Sequence, residues 1–305
     1  MRGFRFYIYS FLYNLTKRGY RRGYVFFYYS LISLIRILNH VTWYKGITNE
    51  KYFQEDLIVS LTTYGRRIED VFITIESIFC GKCLPNRIIL WVDEGFEKVQ
   101  LPQSLRRLQK KCLEIRYTKN ILSYKKLIPT LKEYPSSIVV TIDDDAIYSP
   151  LFLYNLLSSY NKQPHFIHAN RVHKISFDDK GIIKKYTNWR WNVKEEGPNV
   201  LYMQTGVGGV LYPPHSLSDE IFNEDVFMNI CRYGDDIWFY AMAVINGVRI
   251  YKAHTEDVLG QDYVDIINPK EQALSQHNTD PIVSRNDNQI KAVFSRYNII
   301  NKLLS

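Results

Sequence analysis

Cysteine is scarce in this chain: Cys80, Cys83, Cys112 and Cys231 are the four in 305 residues. Cys80-Gly-Lys-Cys83 is a C-x-x-C, but no second such pair stands at zinc-ligand spacing. The pair also closes an amphipathic pattern instead of opening one, which argues against a redox motif. These cysteines read as ordinary small residues of a reducing compartment. Long apolar runs are missing too. The longest, Tyr24 to Leu38, has 15 residues and is broken by Ser30, Ser33 and Arg36. At about 1.5 Å rise per residue, it falls short of a hydrocarbon core about 30 Å thick. Basic and apolar residues interleave there and no small-residue cleavage site follows, so a secretory leader is a poor match. Internal repeats and low-complexity tracts are also absent.

Acid is what the first 49 residues lack. They hold eight Lys/Arg and no Asp or Glu, so the remainder balances at 31 basic against 31 acidic residues. The net charge of +8 is therefore local, which speaks against a nucleic-acid partner and for a polyanionic surface at one end. Residues 1–48 also carry 14 aromatics. One or two helices lying in a membrane interface fit this mixture, with Lys and Arg at anionic headgroups and Tyr, Phe and Trp43 partly sunk. A helical arm packed on the protein's own body is the plainer alternative. The first reading makes an anionic membrane surface the partner of this segment and the protein a peripheral one.

Past Asp56 the pattern becomes regular. Leu57–Leu61, Arg87–Val92, Leu113–Tyr117 and Ser137–Ile142 read as short buried strands. Helical spacing occupies residues 68–79, 101–112 and 124–134, with Pro129 in a first turn or at a kink. This alternation predicts an α/β fold, a mostly parallel Rossmann-like sheet with helices on both faces. After Pro150 it weakens: a helix over 151–160, irregular strands and a hairpin around Asp178-Asp-Lys-Gly181, a glycine loop over 204–210, and helices over 235–245 and 288–297. The expected division is a basic aromatic segment 1–50, a catalytic domain 51–260 and a C-terminal extension 261–305 packing on it.

The fourth strand runs into Asp143-Asp144-Asp145. Ligands of open α/β sheets bind beyond the carboxyl ends of strands. Three adjacent carboxylates repel unless a cation offsets them. In extended geometry Asp143 and Asp145 share one side and Asp144 takes the other. Such a pair suits Mg²⁺ or Mn²⁺, completed by substrate phosphates. An acidic turn capping the helix near Pro150 is the plainer alternative. Asp235 and Asp236 open a helix, where carboxylates either relieve the dipole or supply a general base. Gly208-Gly209 lets backbone approach a ligand closely, or merely makes a tight turn.

Several segments together carry a resemblance: Ile58-Val-Ser-Leu-Thr-Thr-Tyr-Gly-Arg66, Tyr124-Lys-Lys-Leu-Ile-Pro129, Ile138-Val-Val-Thr-Ile-Asp-Asp-Asp145, Gly208-Gly-Val-Leu-Tyr-Pro213 and Asp235-Asp-Ile-Trp-Phe239. From about Leu57 to Phe239 the chain resembles GT-A-fold glycosyltransferases, most of all family-2-like enzymes of bacterial surface polysaccharide assembly. Residues before 50 fall outside the likeness. It implies a nucleotide-sugar donor bordered by Thr62, Tyr64, Arg66 (or Arg67), Asp93, Lys126 in preference to Lys125, Asp143, Asp144, Gly208 and Gly209. It implies a Mn²⁺ or Mg²⁺ held by Asp145 and Asp143, with His277 completing the shell. It implies a catalytic base at Asp236, with Asp235 beside it, if the anomeric centre inverts; inversion against retention stays open. The acceptor would be a glycan or a lipid-linked glycan. A sugar-phosphate nucleotidyltransferase is the enzymatic alternative, although Thr62-Thr-Tyr-Gly-Arg has one glycine where such enzymes carry a glycine-rich loop. A membrane-docked scaffold without turnover is the other.

Overall fold

The computed structural model describes residues 2–18, 21–96, 100–255, 261–267 and 284–304. The order of the main elements is α1(Arg2–Arg18), α2(Arg21–His40), β1(Leu57–Thr62), α3(Val71–Phe79), β2(Arg87–Asp93), α4(Gln103–Lys110), β3(Leu113–Thr118), α5(Ile128–Glu133), β4(Ile138–Thr141), β5(Ala146–Tyr148) and α6(Phe152–Lys162). There follow β6(Ile167–Ala169), β7(Val172–Lys174), β8(Gly197–Asn199), β9(Tyr202–Gln204), β10(Val210–Tyr212), α7(Glu224–Ile230), α8(Asp235–Ile245), β11(Ile250–Lys252), β12(Tyr263–Asp265), α9(Arg285–Tyr297) and α10(Ile299–Leu304).

One sheet of eight strands, in the order β3-β2-β1-β4-β10-β6-β11-β8, organises the chain. Strands β3, β2, β1 and β4 are mutually parallel. Side chains alternate across them: Val140 joins the cluster on one face and Val139 the cluster on the other. The fold is thus mixed α/β, a large mostly parallel sheet flanked by helices, as the alternation predicts. The helix expected over 124–134 is split. A 3₁₀ turn covers Leu122–Lys126, and α5 restarts with Pro129 in its first turn, where a missing N–H costs nothing.

The segment expected to be a single amphipathic helix over 68–79 differs more. Every residue of α3 is buried, including Glu76. The cause is the N-terminal segment, which forms a helical hairpin laid over α3. Tyr9, Leu31 and Ile35 of the hairpin share one apolar cluster with Val71, Ile75 and Phe79. Glu76 is neutralised there by the fully buried Lys111, whose ammonium also donates to the Leu38 carbonyl (2.8 Å) and the Tyr44 hydroxyl (2.9 Å). Cys80 ends α3, buried, and all four cysteines are unbonded thiols.

The hairpin packs by one face only. Phe4, Tyr7, Phe11, Phe26, Tyr29 and Ile37 of the two helices, and Trp43 just after them, stay 60–72 % exposed. The segment thus covers the body, as the plainer alternative expects, and leaves an apolar face outward. Among the described residues no helix is long and apolar enough to cross a membrane.

Candidate active site

The sheet order puts the site at one edge. Strand order reverses between β1 and β4, and a crevice opens where the connections diverge. Thr62 and Asp93 end, and Asp143 follows, strands whose carboxyl ends point to that edge. Strand β10 runs antiparallel to β4, pairing Val210 with Thr141, so the residues just before β10 lie beside the acids. Strand β6 is antiparallel to β10 in turn, which sends Asn170 and Arg171 to the same edge. A cleft of about 430 Å³ lies there, lined among others by Thr62, Tyr64, Arg67, Lys126, Asp143, Asp144, Asp145, Arg171, Asp235, Asp236 and Asp265.

The triple aspartate turns instead of continuing as strand. Asp144 and Asp145 form a turn into β5, a strand that periodicity does not show, which pairs with β12 and sets Asp265 opposite Ala146. The turn, not strand alternation, decides the three directions. Asp144 faces inward and accepts from Thr63 Oγ1 (2.6 Å) and Arg67 Nη1 (2.8 Å). The same guanidinium nitrogen pairs with Asp145 (3.0 Å). Burial raises the carboxyl of Asp145 to about 6, and its neighbours Asp143 and Asp144 add to this. Asp143 turns to Lys126. None of the three caps α6, whose N-cap is Leu151.

Lys126 is the hub. Its ammonium lies 2.8 Å from Asp143 Oδ1 and 2.8 Å from Asp235 Oδ2. Burial opposes its charge, but Asp143, Asp235 and Asp236 more than reverse that and hold it well above the ordinary ammonium range. Asp236 occupies the first turn of α8, yet neither acid caps the helix, which begins on Gly234. Asp236 Oδ2 instead accepts from the Gly206 N–H at 2.8 Å. Its Oδ1 is buried without a hydrogen-bond partner. Burial is the largest influence on this carboxyl, Lys126 opposes it, Asp235 and Asp143 add to it, and the result stands at about 7. A carboxylate poised there with one free oxygen has the properties of a general base.

Several expected positions lie elsewhere. Arg66 is exposed and off the cleft lining, while its neighbour Arg67 takes the inward place. Asp93 is tied to the buried Lys125 at the end of β2 and does not line the cleft. Gly208 and Gly209 serve packing. A Cβ on Gly208 would stand 2.3 Å from the Cβ of Arg171, and one on Gly209, at φ +81, would meet the Phe152 ring at 2.2 Å. Gly206 is the glycine the acids need: a Cβ there would lie 2.4 Å from Lys126 Nζ and about as near as 3.1 Å to Asp236 Oδ1. His277 lies outside the described residues. Arg171, Asp265 and the aromatic wall of His173, Tyr186, Trp191 and Tyr233 were not anticipated. Three glycines in one short loop are a signal for Gly206; nothing local marks Arg171.

No family model and no curated protein matches the chain. Among solved structures it is similar to a mannosyltransferase from Pyrobaculum calidifontis in complex with GDP-mannose and Mn²⁺, at 11% identity and a TM-score of 0.47, over 89% of this chain and 76% of that one. It is also similar to the inositol-1-phosphate CTP transferase of T. maritima, at 8% identity and a TM-score of 0.38, over 83% of this chain and 97% of that one. Superpositions this loose carry nothing about chemistry.

Proposed function

We propose that this chain is a metal-dependent glycosyltransferase of the GT-A type, moving a sugar from a nucleotide-sugar donor to a glycan or lipid-linked acceptor in bacterial surface polysaccharide synthesis. The observation that carries the reading is the pairing of two acid groups across one ammonium. Lys126 pairs with Asp143 on the β4 side and with Asp235 on the α8 side, where the adjacent Asp236 keeps an unpartnered oxygen.

The donor set suits a divalent cation. Asp143, Asp144, Asp145 and Asp265 share the cleft floor with Arg67 and part of Lys126, a surplus of hard oxygen ligands over charge. Among the described residues no group of three or more such ligands is gathered for a metal. Asp143 and Asp145 would therefore hold Mn²⁺ or Mg²⁺ with ligand phosphate and water completing the shell. When bound, the ion offsets charge on the departing diphosphate. The chain's own residues do the rest. Asp236 Oδ1 takes the proton of an acceptor hydroxyl. The acceptor's hydroxyl oxygen, as it loses that proton, forms a bond to the anomeric carbon while the bond to the nucleoside diphosphate breaks, and the electron pair leaves with the diphosphate. The Gly206 N–H keeps Asp236 aimed, and the charge of Lys126 opposes the rise that burial gives its carboxyl.

The outward rings of α1 and α2, in a segment with eight basic residues and no acid, support docking on anionic lipid at the cytoplasmic face of the inner membrane. The direct test is a panel of nucleotide sugars with Mn²⁺ or Mg²⁺. Release of a nucleoside diphosphate that Asp236→Asn suppresses about 10²-fold or more supports the reading. Pyrophosphate release from a sugar phosphate and a nucleoside triphosphate would assign the nucleotidyltransferase alternative instead.

A further inference from the structure

We propose that Arg171 and the exposed face of Trp191 form an acceptor subsite for an acidic sugar, one carrying a carboxylate or a phosphate. The inference rests on the transferase reading and names its acceptor class.

The charge comes first. Three cations line the described part of the cleft. Arg67 is paired with Asp144 and Asp145, and Lys126 with Asp143 and Asp235. The partners of Arg171 are neutral: Nε donates to Asn192 Oδ1 (2.7 Å) and Nη1 to Thr205 Oγ1 (3.0 Å). No ion pair joins it to a carboxylate among the described residues, although it stands close enough to Asp265 to oppose that group's upward shift, a shift that burial dominates and Lys17 also opposes. A guanidinium has five N–H groups in a planar fork, so two anchors leave an edge for an oxyanion. A charge anchored by neutral groups keeps that edge for an anion a ligand brings.

The platform comes second. Trp191 stacks on His173 with ring centroids 4.7 Å apart and planes inclined by 17°. Its indole N–H donates to the Tyr186 carbonyl (3.1 Å), which locks the ring. It remains 41% exposed and lines the cleft, with His173 against one face. Pyranose rings present flat C–H faces, and a locked indole receives one at little cost in ordering. His173 accepts the Asn192 N–H on Nδ1 (3.2 Å), which makes it the neutral tautomer and adds no competing cation to the wall.

One residue ties the two together. Asn192 follows Trp191, sits at φ +50, and supplies both the side-chain oxygen to Arg171 and the N–H to His173. Gly208 completes it, because any side chain there would collide with Arg171. The subsite lies on the base side: Thr205, which takes the guanidinium, precedes Gly206, whose N–H holds Asp236. Arg67 lies on the other side, after β1, held by Asp144 and Asp145.

The test uses the full chain with Mn²⁺ and saturating nucleoside diphosphate, and reads binding of methyl glucuronide, glucose 6-phosphate and methyl glucoside by ligand-observed NMR. Either acidic sugar is expected to bind about tenfold tighter than the glucoside. Arg171→Gln erases that preference and leaves the glucoside unaffected, Arg171→Lys keeps part of it, and Trp191→Ala weakens all three. Nucleoside diphosphate affinity stays within twofold in each variant. Equal binding of the three sugars to the unaltered chain, or none, overturns the proposal. So does a tenfold loss of nucleoside diphosphate affinity in Arg171→Gln, which would assign the guanidinium to the donor's diphosphate. Failure of the transferase reading shows separately, as no diphosphate release from any nucleotide sugar.

Discussion

Replacing Lys126 by Met isolates the electrostatics on which the mechanism depends. The side chain keeps its length and apolar stem but loses the charge that sits 2.8 Å from Asp143 and 2.8 Å from Asp235. Asp236 already stands at about 7 with Lys126 as the strongest influence against burial. Two unit charges about 4 Å apart interact by roughly 4 kcal/mol at an effective dielectric near 20. If only a third of that survives rearrangement, the carboxyl rises by about one pH unit. A base titrating near 7 is about half ionised at pH 7, and one titrating near 8 only about a tenth. Turnover at pH 7 should therefore fall about fivefold from ionisation alone and recover by pH 9. The assay is nucleoside diphosphate release at saturating donor from pH 5.5 to 9.5, which for the unaltered chain should rise through an inflection near 7 to a plateau. Lys126→Arg, retaining charge, should keep the inflection near its original place. The stability effect has a defined sign. A carboxyl raised on folding favours the folded state fully below the ordinary aspartate value and loses that contribution as pH climbs through the folded value. Lys126→Met should thus unfold more readily in urea at pH 9 than at pH 6. An inflection that stays put or moves to lower pH would refute the reasoning.

Three further expectations follow from particular contacts. Gly206→Ala drives a methyl to 2.4 Å from the Lys126 ammonium, so turnover should collapse with a stability loss of about 1–3 kcal/mol in denaturant titration. Lys111→Met strands Glu76 in the layer between the hairpin and the sheet, and urea titration at pH 7 should show a loss of about 3–5 kcal/mol, relieved in part by the added change Glu76→Gln. Tyr7→Glu combined with Phe26→Glu should reduce co-sedimentation with phosphatidylglycerol vesicles at least tenfold while leaving the thermal midpoint within a few degrees, since both rings are exposed.

The sheet was legible because β1, β2 and β4 are mostly apolar runs, β3 alternates apolar and polar residues, and helical periods separate them. Strands β5 and β12 were not, since three residues cannot display a period and their pairing joins positions over a hundred residues apart. The site divides similarly. Asp143 and Asp145 announce themselves by standing where a strand ends, and Asp236 by opening an apolar helix. The glycine that faces them does not. Within Thr205-Gly-Val-Gly-Gly209 the doublet attracts attention, yet it is the single Gly206 that meets Lys126, because only the antiparallel return of β10 decides which peptide faces the acids. Arg171 was hidden for a similar reason: its importance is that its partners are neutral, and partners are a property of the folded chain.

The N-terminal hairpin, left unexplained by any resemblance, turns out to be mechanically joined to the acid cluster. The Tyr9 hydroxyl donates to the Tyr148 carbonyl at 2.5 Å. The Tyr148 hydroxyl accepts from the Asp143 N–H (3.0 Å) and donates to the Val207 carbonyl (3.1 Å), bracing the aspartate turn against the loop that holds Asp236. Lys17 donates to the carbonyls of Gln261 and Tyr263, steadying the strand that carries Asp265. Removing the hairpin would therefore do three things at once: expose the buried face of α3, strip the brace from Asp143, and delete the outward rings. A truncated chain that neither turned over nor bound vesicles would say nothing about which loss mattered. Substitution of the exposed rings alone separates them, because Phe26 and Tyr7 face away from the body whereas Tyr9 is fully buried in it. If Tyr7→Glu with Phe26→Glu keeps turnover on a soluble acceptor but loses it on one embedded in vesicles, docking and chemistry are distinct tasks of the same two helices.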